Sequence, residues 1–368
     1  MSYLREIDLF QFKNYPEKHF SFSKRIIGFT GNNGVGKTNL LDAIHYLGLT
    51  RSYFGRNDVQ ATQFGSQGFR IQGVFKKGEQ EELVSCILRE NGKKEISVNG
   101  TIIPRQIDHI GAFPIVFIAP DDAQLIIGDS KDRRAFIDQL ICQLDSTYLQ
   151  QLLTYNRVLQ QRNAQLKEAA VEHHKEDPLL DIYDQQLQPL GQHIFEKRKS
   201  VLADLIPATL EIYHQLASTS EHKSIEKPLL FYKSELHTNS FESLLKTSRT
   251  RDIYLQRTTK GIHRDDLECL LEEQPFKQIS SQGQRKSLLF ALKLASLQLL
   301  DKTMKHPPLL LLDDFFEKLD DSRIENLLQF VCNQVRSQVF LTHTSTEKLQ
   351  HHLKKTKEPY EIIEIKAT

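Results

Sequence analysis

The run Gly31-Asn32-Asn33-Gly34-Val35-Gly36-Lys37-Thr38 constrains this chain more than any other stretch. It meets the pattern G-x-x-x-x-G-K-[ST] at every fixed position. An apolar run, Ile26-Ile27-Gly28-Phe29, precedes it and reads as a short buried strand. A helical pattern follows, carried by Leu40, Leu41, Ala43, Ile44 and Leu47. Strand, glycine-rich turn and helix in that order make a cradle for phosphate. The glycines let the backbone wrap an anion, and the first N–H groups of the helix have no internal acceptor. Lys37 brings a positive charge to the β- and γ-phosphates of a nucleotide, and the Thr38 hydroxyl suits Mg²⁺. A chain organised around this unit is expected to be α/β.

The rest of the chain fits that expectation in two places and departs from it in one. Tyr3 to Phe12 alternates like a half-buried strand, and Phe69 to Pro104 holds β-rich runs around Asn91-Gly92 and Asn99-Gly100, which read as consecutive hairpins. Residues 114–120 read as another buried strand. From Lys131 to about Ala217 the chain turns rich in Leu, Gln, Arg and Glu and poor in Gly. Leu149, Leu152, Asn156, Leu159, Asn163 and Leu166 fall at 3-4-3-4-3 spacing, a heptad seam with two polar positions. A second run carries Leu187, Leu190, Ile194, Val201 and Leu205, with Pro189 and Pro207 expected to kink or end helices. Two such helices make an antiparallel hairpin, either a protruding arm or part of a compact helical lobe. From Pro228 the α/β character returns, ending in an Ile-rich run after Pro359 that suits an edge strand. The expected division is 1–120, 121–225 and 226–368: two parts of one α/β domain built from both chain ends, with a mainly helical insertion between them.

Composition narrows the function classes. The formal charge is 48 − 47 = +1, so any nucleic-acid contact has to come from local patches. Such spots stand at Lys131/Arg133/Arg134, Arg157/Arg162, Lys197/Arg198/Lys199 and Arg249/Arg251, each also compatible with a plain solvated face. No run approaches a membrane span, and MSYLREIDLF does not read as a secretory signal. Four scattered cysteines without CxxC argue against a zinc cluster or a disulfide framework, and for a cytoplasmic location.

Further motifs accompany the phosphate loop. Leu309 to Leu312 ends in Asp313, a buried strand that would place a carboxylate near the Mg²⁺ water shell. Asp314 follows, where ABC-type ATPases usually hold a Glu that orients the attacking water. Asp is one methylene, roughly 1.5 Å, shorter. Asp320, six residues on, matches the spacing of the ABC D-loop. Ser280-Ser281-Gln282-Gly283-Gln284 heads a helix and resembles the ABC signature loop, which in that family completes the nucleotide site of a second subunit. Ser281, Gly283 and Gln284 are the candidate phosphate contacts there. His343, at the end of the next strand, fits the switch position, or is a plain loop histidine.

Three stretches extend the resemblance. Phe117-x-x-Pro120-Asp121 with Arg133-Arg134-x-Phe136-x-Asp138, then Tyr155-Asn156 through Leu166-Lys167, then Arg251-Asp252-x-Tyr254 with Gly261-Ile262-His263-Arg264-Asp265-Asp266. Together they resemble the RecF family of bacterial recombination mediators, relatives of the SMC-type ATPases. That family usually has Pro at the position of Ile262 and often Thr at that of His343. The resemblance implies an ATP-dependent homodimer that uses Mg²⁺ and hydrolyses ATP slowly. It implies binding to single-stranded and gapped DNA without sequence preference. It also implies RecO- and RecR-like partners that help load recombinase in repair, replication restart and SOS induction. The rival expectation is the nucleotide-binding subunit of an ABC transporter, which shares the ATPase motifs.

Overall fold

The structure, a computed structural model, describes residues 2–55, 57–172, 177–217, 228–314 and 321–366. In chain order the first elements are β1 (Ser2–Phe12), β2 (Tyr15–Ser21), β3 (Ile26–Thr30), α1 (Lys37–Leu49), β4 (Phe69–Lys77), β5 (Gln80–Leu88), β6 (Lys94–Val98), β7 (Thr101–Ile102) and β8 (Ile115–Ile118). Then come α2 (Gln124–Ile127), α3 (Ser130–Leu144), α4 (Ser146–Glu172), α5 (Pro178–Ala217), β9 (Leu229–Lys233), α6 (Phe241–Tyr254), β10 (Asp266–Leu271), β11 (Gln274–Pro275) and α7 (Phe276–Ile279). The last are α8 (Gln282–Thr303), β12 (Leu309–Leu312), α9 (Asp321–Gln334), β13 (Val339–His343), α10 (Thr346–Thr356) and β14 (Tyr360–Glu364).

The chain divides into two units. One comprises 1–123, 209–225 and 282–368, the other 124–208 and 226–281. In the first unit a six-stranded antiparallel sheet, β2-β1-β4-β5-β6-β7, accompanies a five-stranded parallel sheet, β14-β3-β13-β12-β8. Both Asn-Gly pairs turn hairpins, β5–β6 and β6–β7. The expected edge position of the C-terminal strand is observed, since among the described residues β14 pairs only with β3. β3, β12 and β13 are buried on both faces, which explains their unbroken apolar runs. α1 lies against both sheets and buries nearly every residue from Leu40 to Leu49 in their shared core.

In the second unit β9, β10 and β11 form their own antiparallel sheet, with α3 and α7 on β10. Residues 226–281 therefore belong with the helical segment, whereas the sequence expectation put them in the ATPase lobe. The reason is pairing: among the described residues β9 and β10 bond each other and no strand of the parallel sheet. The heptad seam is also corrected. α4 buries Tyr148, Tyr155, Val158, Arg162, Leu166 and Ala169, while Asn156 is exposed. Asn163 is no coiled-coil core residue; its Oδ1 accepts from the N–H and Oγ1 of Thr258, both at 2.8 Å. Leu166, Ala169 and Leu180 pack with Ile253 of α6 near the hairpin's tip, so the hairpin is a wall of a compact unit rather than a free arm. α5 runs through Pro189 and Pro207 without ending, each proline removing one donor from the ladder.

Charge, unusually, fills this unit's interior. Arg162 is fully buried and donates to Asp184 at 2.6 Å, Asp252 at 2.9 Å and Thr258 at 2.8 Å. Arg198, also buried, donates to Asp138 at 3.0 Å and to the Ile262 carbonyl at 2.7 Å. Arg133 grips Asp266 with two bonds, and Arg249 binds both Asp181 and Asp184 at 2.7 Å. Four arginines of the suspected basic patches are thus internal fasteners.

Candidate nucleotide site

The loop 31–38 joins β3 to α1. Gly36 caps α1 with φ 109, a left-handed conformation that a side chain would strain. A Cβ there would also lie 2.5 Å from Asn14 Nδ2. The first turn of α1 carries no acidic residue, so the helix N-terminus keeps its positive end for a ligand anion. Lys37 is nearly buried, and its Nζ donates to the carbonyls of Gly31 at 2.8 Å and Asn32 at 2.9 Å. The ammonium is therefore held over the loop that Gly31, Asn32, Asn33, Gly34 and Val35 form.

Parallel pairing brings the end of β12 to this loop. Thr38 Oγ1 lies 3.0 Å from both carboxylate oxygens of Asp313, 275 positions away in sequence. The Asp313 N–H donates to Ile118 O of β8 at 2.9 Å, and Thr342 Oγ1 of β13 donates to Asp313 Oδ1 at 2.9 Å. Burial pushes the Asp313 carboxyl up to about 6, against the pull of Thr342, Thr38 and Lys37. A hydroxyl and a buried carboxylate of this kind are hard oxygen donors that fit Mg²⁺. No cluster of three or more His, Cys, Asp or Glu side chains suited to a metal occurs among the described residues. Two oxygen-bearing side chains would fill only part of an octahedral Mg²⁺ shell.

Asp314 follows with φ 42, in the left-handed region. Its N–H donates to Thr342 Oγ1 at 2.8 Å, so one threonine hydroxyl ties both aspartates. His343 ends β13, buried, and its Nδ1 accepts the Ser345 N–H at 2.7 Å. That nitrogen is committed to its own loop. Asp320 lies outside the described residues. Ser281 is exposed at the end of the second unit, and Gln282 opens α8 in the first. A Cβ on Gly283 would lie 2.3 Å from Arg323 Nη1 of α9, so a side chain there would displace the guanidinium. Gln284 sits half-buried in the first turn of α8.

Sequence reasoning missed a brace on the phosphate loop. Asn14 Nδ2 donates to Val35 O at 3.1 Å, Asn39 Nδ2 to Asn14 Oδ1 at 2.7 Å, and Tyr15 OH to Gly36 O at 3.0 Å. Its trace in the sequence is Lys13-Asn14 between Phe12 and Tyr15, a two-residue hairpin turn. Thr342 was likewise unassigned, because a threonine inside a strand carries no distinctive pattern.

With this geometry in view, comparison with known proteins decides the family. Residues 3–364 match the family described as RecF/RecN/SMC N terminal domain. The DNA replication and repair protein RecF of Flavobacterium johnsoniae is 40% identical over 363 residues, covering 99% of this chain and 100% of that protein. The chain belongs to the RecF family. The RecF of Cytophaga hutchinsonii is 39% identical, covering 94% of this chain and 90% of that protein. A solved structure of the recombination mediator protein RecF-ATP in the RecFOR pathway has a TM-score of 0.83 and 29% identity, covering 94% of this chain and 92% of that one. An Smc head domain from Pyrococcus furiosus, at TM-score 0.58 and 16% identity, shares the fold. The transporter alternative is not favoured by these relatives. Among the described residues no helix is long and apolar enough to cross a membrane.

Proposed function

We propose that this chain is an ATP-dependent DNA-binding protein of the recombination-mediator type. It would work with RecO- and RecR-like proteins on single-stranded and gapped DNA in repair, replication restart and SOS induction. The observation that carries the nucleotide part is the meeting of Thr38 with Asp313 at 3.0 Å beside the Lys37 loop. Residues 31–36 cradle the β-phosphate with backbone N–H groups, and Lys37 leaves its two carbonyl partners for the phosphate oxygens. Thr38 and Asp313 would hold Mg²⁺, which would supply positive charge against the β- and γ-phosphoryl groups. Asp314 polarises the attacking water, and Thr342 fixes the backbone that presents it. His343 is the candidate sensor of the γ-phosphate, and its Nδ1 accepts the Ser345 N–H.

Ser281, Gly283 and Gln284 of a second copy close the site over the γ-phosphate, and Asp320, outside the described residues, stays the D-loop candidate for binding nucleotide. ATP is then mainly a dimerisation switch. Hydrolysis is slow and DNA-stimulated, since Asp314 reaches less far than a Glu, and the location is cytoplasmic. Sedimentation velocity with ATP, with ADP and with neither, repeated with gapped DNA, tests the reading. A dimer should form with ATP alone and should be the form that sediments with DNA. ATP bound by a persistent monomer would sink the dimer switch.

A further inference from the structure

The turn after α6 presents groups that the nucleotide site does not use. Tyr254, the last residue of α6, is 84% exposed, an unusual position for so large a ring. Arg251 and Arg257 flank it, both exposed, and neither has an ion-pair or hydrogen-bond partner for its guanidinium among the described residues. Every other cation of this segment is paired: Lys246 with Glu242, Arg249 with Asp181 and Asp184, Lys260 with Glu235. The only carboxylate between Lys246 and Lys260 is Asp252, and it is buried.

The turn is held from beneath. Asp252 accepts the Thr259 N–H at 2.9 Å and its hydroxyl at 2.6 Å, and receives Arg162 at 2.9 Å. The Arg257 N–H donates to Asp252 O at 3.1 Å, and the Gln256 N–H to Ile253 O at 3.1 Å. Gln256 takes φ 53 to reverse the chain. Ring and guanidinium groups thus stand on a braced corner, so little backbone ordering remains to be lost on binding.

We propose that Tyr254, Arg251 and Arg257 form a contact site for single-stranded DNA, the ring stacking on an unpaired base and the arginines meeting adjacent phosphates. An open ring beside uncompensated guanidinium groups is the recurring chemistry of sequence-tolerant single-strand binding. A protein partner would favour an apolar surround for the aromatic anchor. Here the adjacent Ile253 is taken up by packing against Leu166, Ala169 and Leu180, and the exposed neighbours in sequence are two charges, Gln256 and one leucine, Leu255. The proposal rests on the DNA reading above and adds where the unpaired strand lies.

The test uses the full chain with ATP and a gapped duplex carrying 2-aminopurine in the gap, read by anisotropy and by quenching of the base analogue. Tyr254→Ala should weaken binding about ten-fold and abolish the quenching, while Tyr254→Phe keeps both. Arg251→Ala with Arg257→Ala should lower the slope of log affinity against log salt by about 1.4. All variants should still dimerise with ATP and melt like the wild type. Unchanged affinity and quenching in Tyr254→Ala, with wild type binding the gap, would overturn this site alone. Loss of binding to another protein with DNA affinity intact would overturn it too. No DNA binding by wild type with ATP would overturn the DNA reading itself.

Discussion

Asp313→Asn should stabilise the empty protein and disable the loaded one. The buried carboxyl titrates near about 6 rather than 3.8. At 1.36 kcal/mol per pH unit, that displacement makes the ionised group cost the nucleotide-free fold about 3 kcal/mol at neutral pH. The sign follows from proton binding. Between 3.8 and about 6 the folded state holds more protons than the unfolded chain. The stabilising term is full below 3.8 and is lost as pH rises through about 6. Asn removes the charge but disturbs the bonds to Thr38 and Thr342, worth about 1 kcal/mol together. A net gain of about 2 kcal/mol remains, or about 4–8 °C in Tm for a folding unit of roughly 200 residues.

The assay is thermal melting in EDTA without nucleotide, from about pH 4 to about pH 8, wild type against Asp313→Asn. Only the difference between the two profiles is diagnostic. Burial drives His45 down to about 4, so the wild type also loses stability as pH falls below 6.5, with the opposite slope. At the acid end, where only the lost bonds count, the variant should be the less stable by up to about 1 kcal/mol, and the difference should change sign and widen in its favour through about pH 6. With Mg²⁺ and ATP the order should reverse, because wild type gains RT ln(1 + [L]/Kd) and the variant far less. A variant less stable than wild type at neutral pH without metal, by a pH-independent amount, would refute the charge argument.

Lys37→Met should leave melting of the empty protein near wild type and abolish ATP binding in calorimetry; affinity within a few-fold of wild type would contradict the loop assignment. Asp314→Asn should keep ATP affinity, lower turnover and prolong the ATP dimer in single-turnover and light-scattering measurements. Ser281→Arg should bind ATP normally yet fail to dimerise, since a charge-assisted contact of about 1.5–3 kcal/mol is replaced by a clash at each of two symmetric sites. Mixing it with Lys37→Met should restore part of the ATPase, because one composite site is intact in that heterodimer.

The loop 31–38 and its flanking strand and helix were legible because their chemistry is local: glycine torsions, helix-end N–H groups and one lysine lie within eight residues. β12 with Asp313 was legible because burial on both faces forces an apolar run that a carboxylate must end. The brace Asn14–Asn39–Tyr15 was not, because it exists only once β1 and β2 reach the loop, and asparagine in a turn has a sufficient local explanation. The heptad at Leu149–Leu166 misled for a related reason. Its apolar spacing competes with Tyr155 and Arg162, whose long side chains claim the interior through bonds to His263 and to Asp184. Hydrophobic periodicity counts neither as core. Arg162 and Arg198 misled the charge reading in the same way, since a sequence shows a cation but not the aspartate folded over it.

The same buried charge links stability to switching. Thr38 and Asp313 meet only when β3, β12 and β13 are paired, so the cation site is a property of the assembled sheet. Assembling it without ligand isolates a carboxylate from water and raises its pKa. A cation held by Thr38 and Asp313 would offset that cost. On the reading proposed above, part of the free energy of nucleotide binding would be relief of a penalty built into the fold, and Thr342 links the two aspartates, its hydroxyl donating to Asp313 and accepting the Asp314 N–H. Thr342→Val should reduce turnover more than ATP affinity. The affinity depends on Lys37 and the loop N–H groups, whereas the alignment of Asp314 depends on the lost hydroxyl.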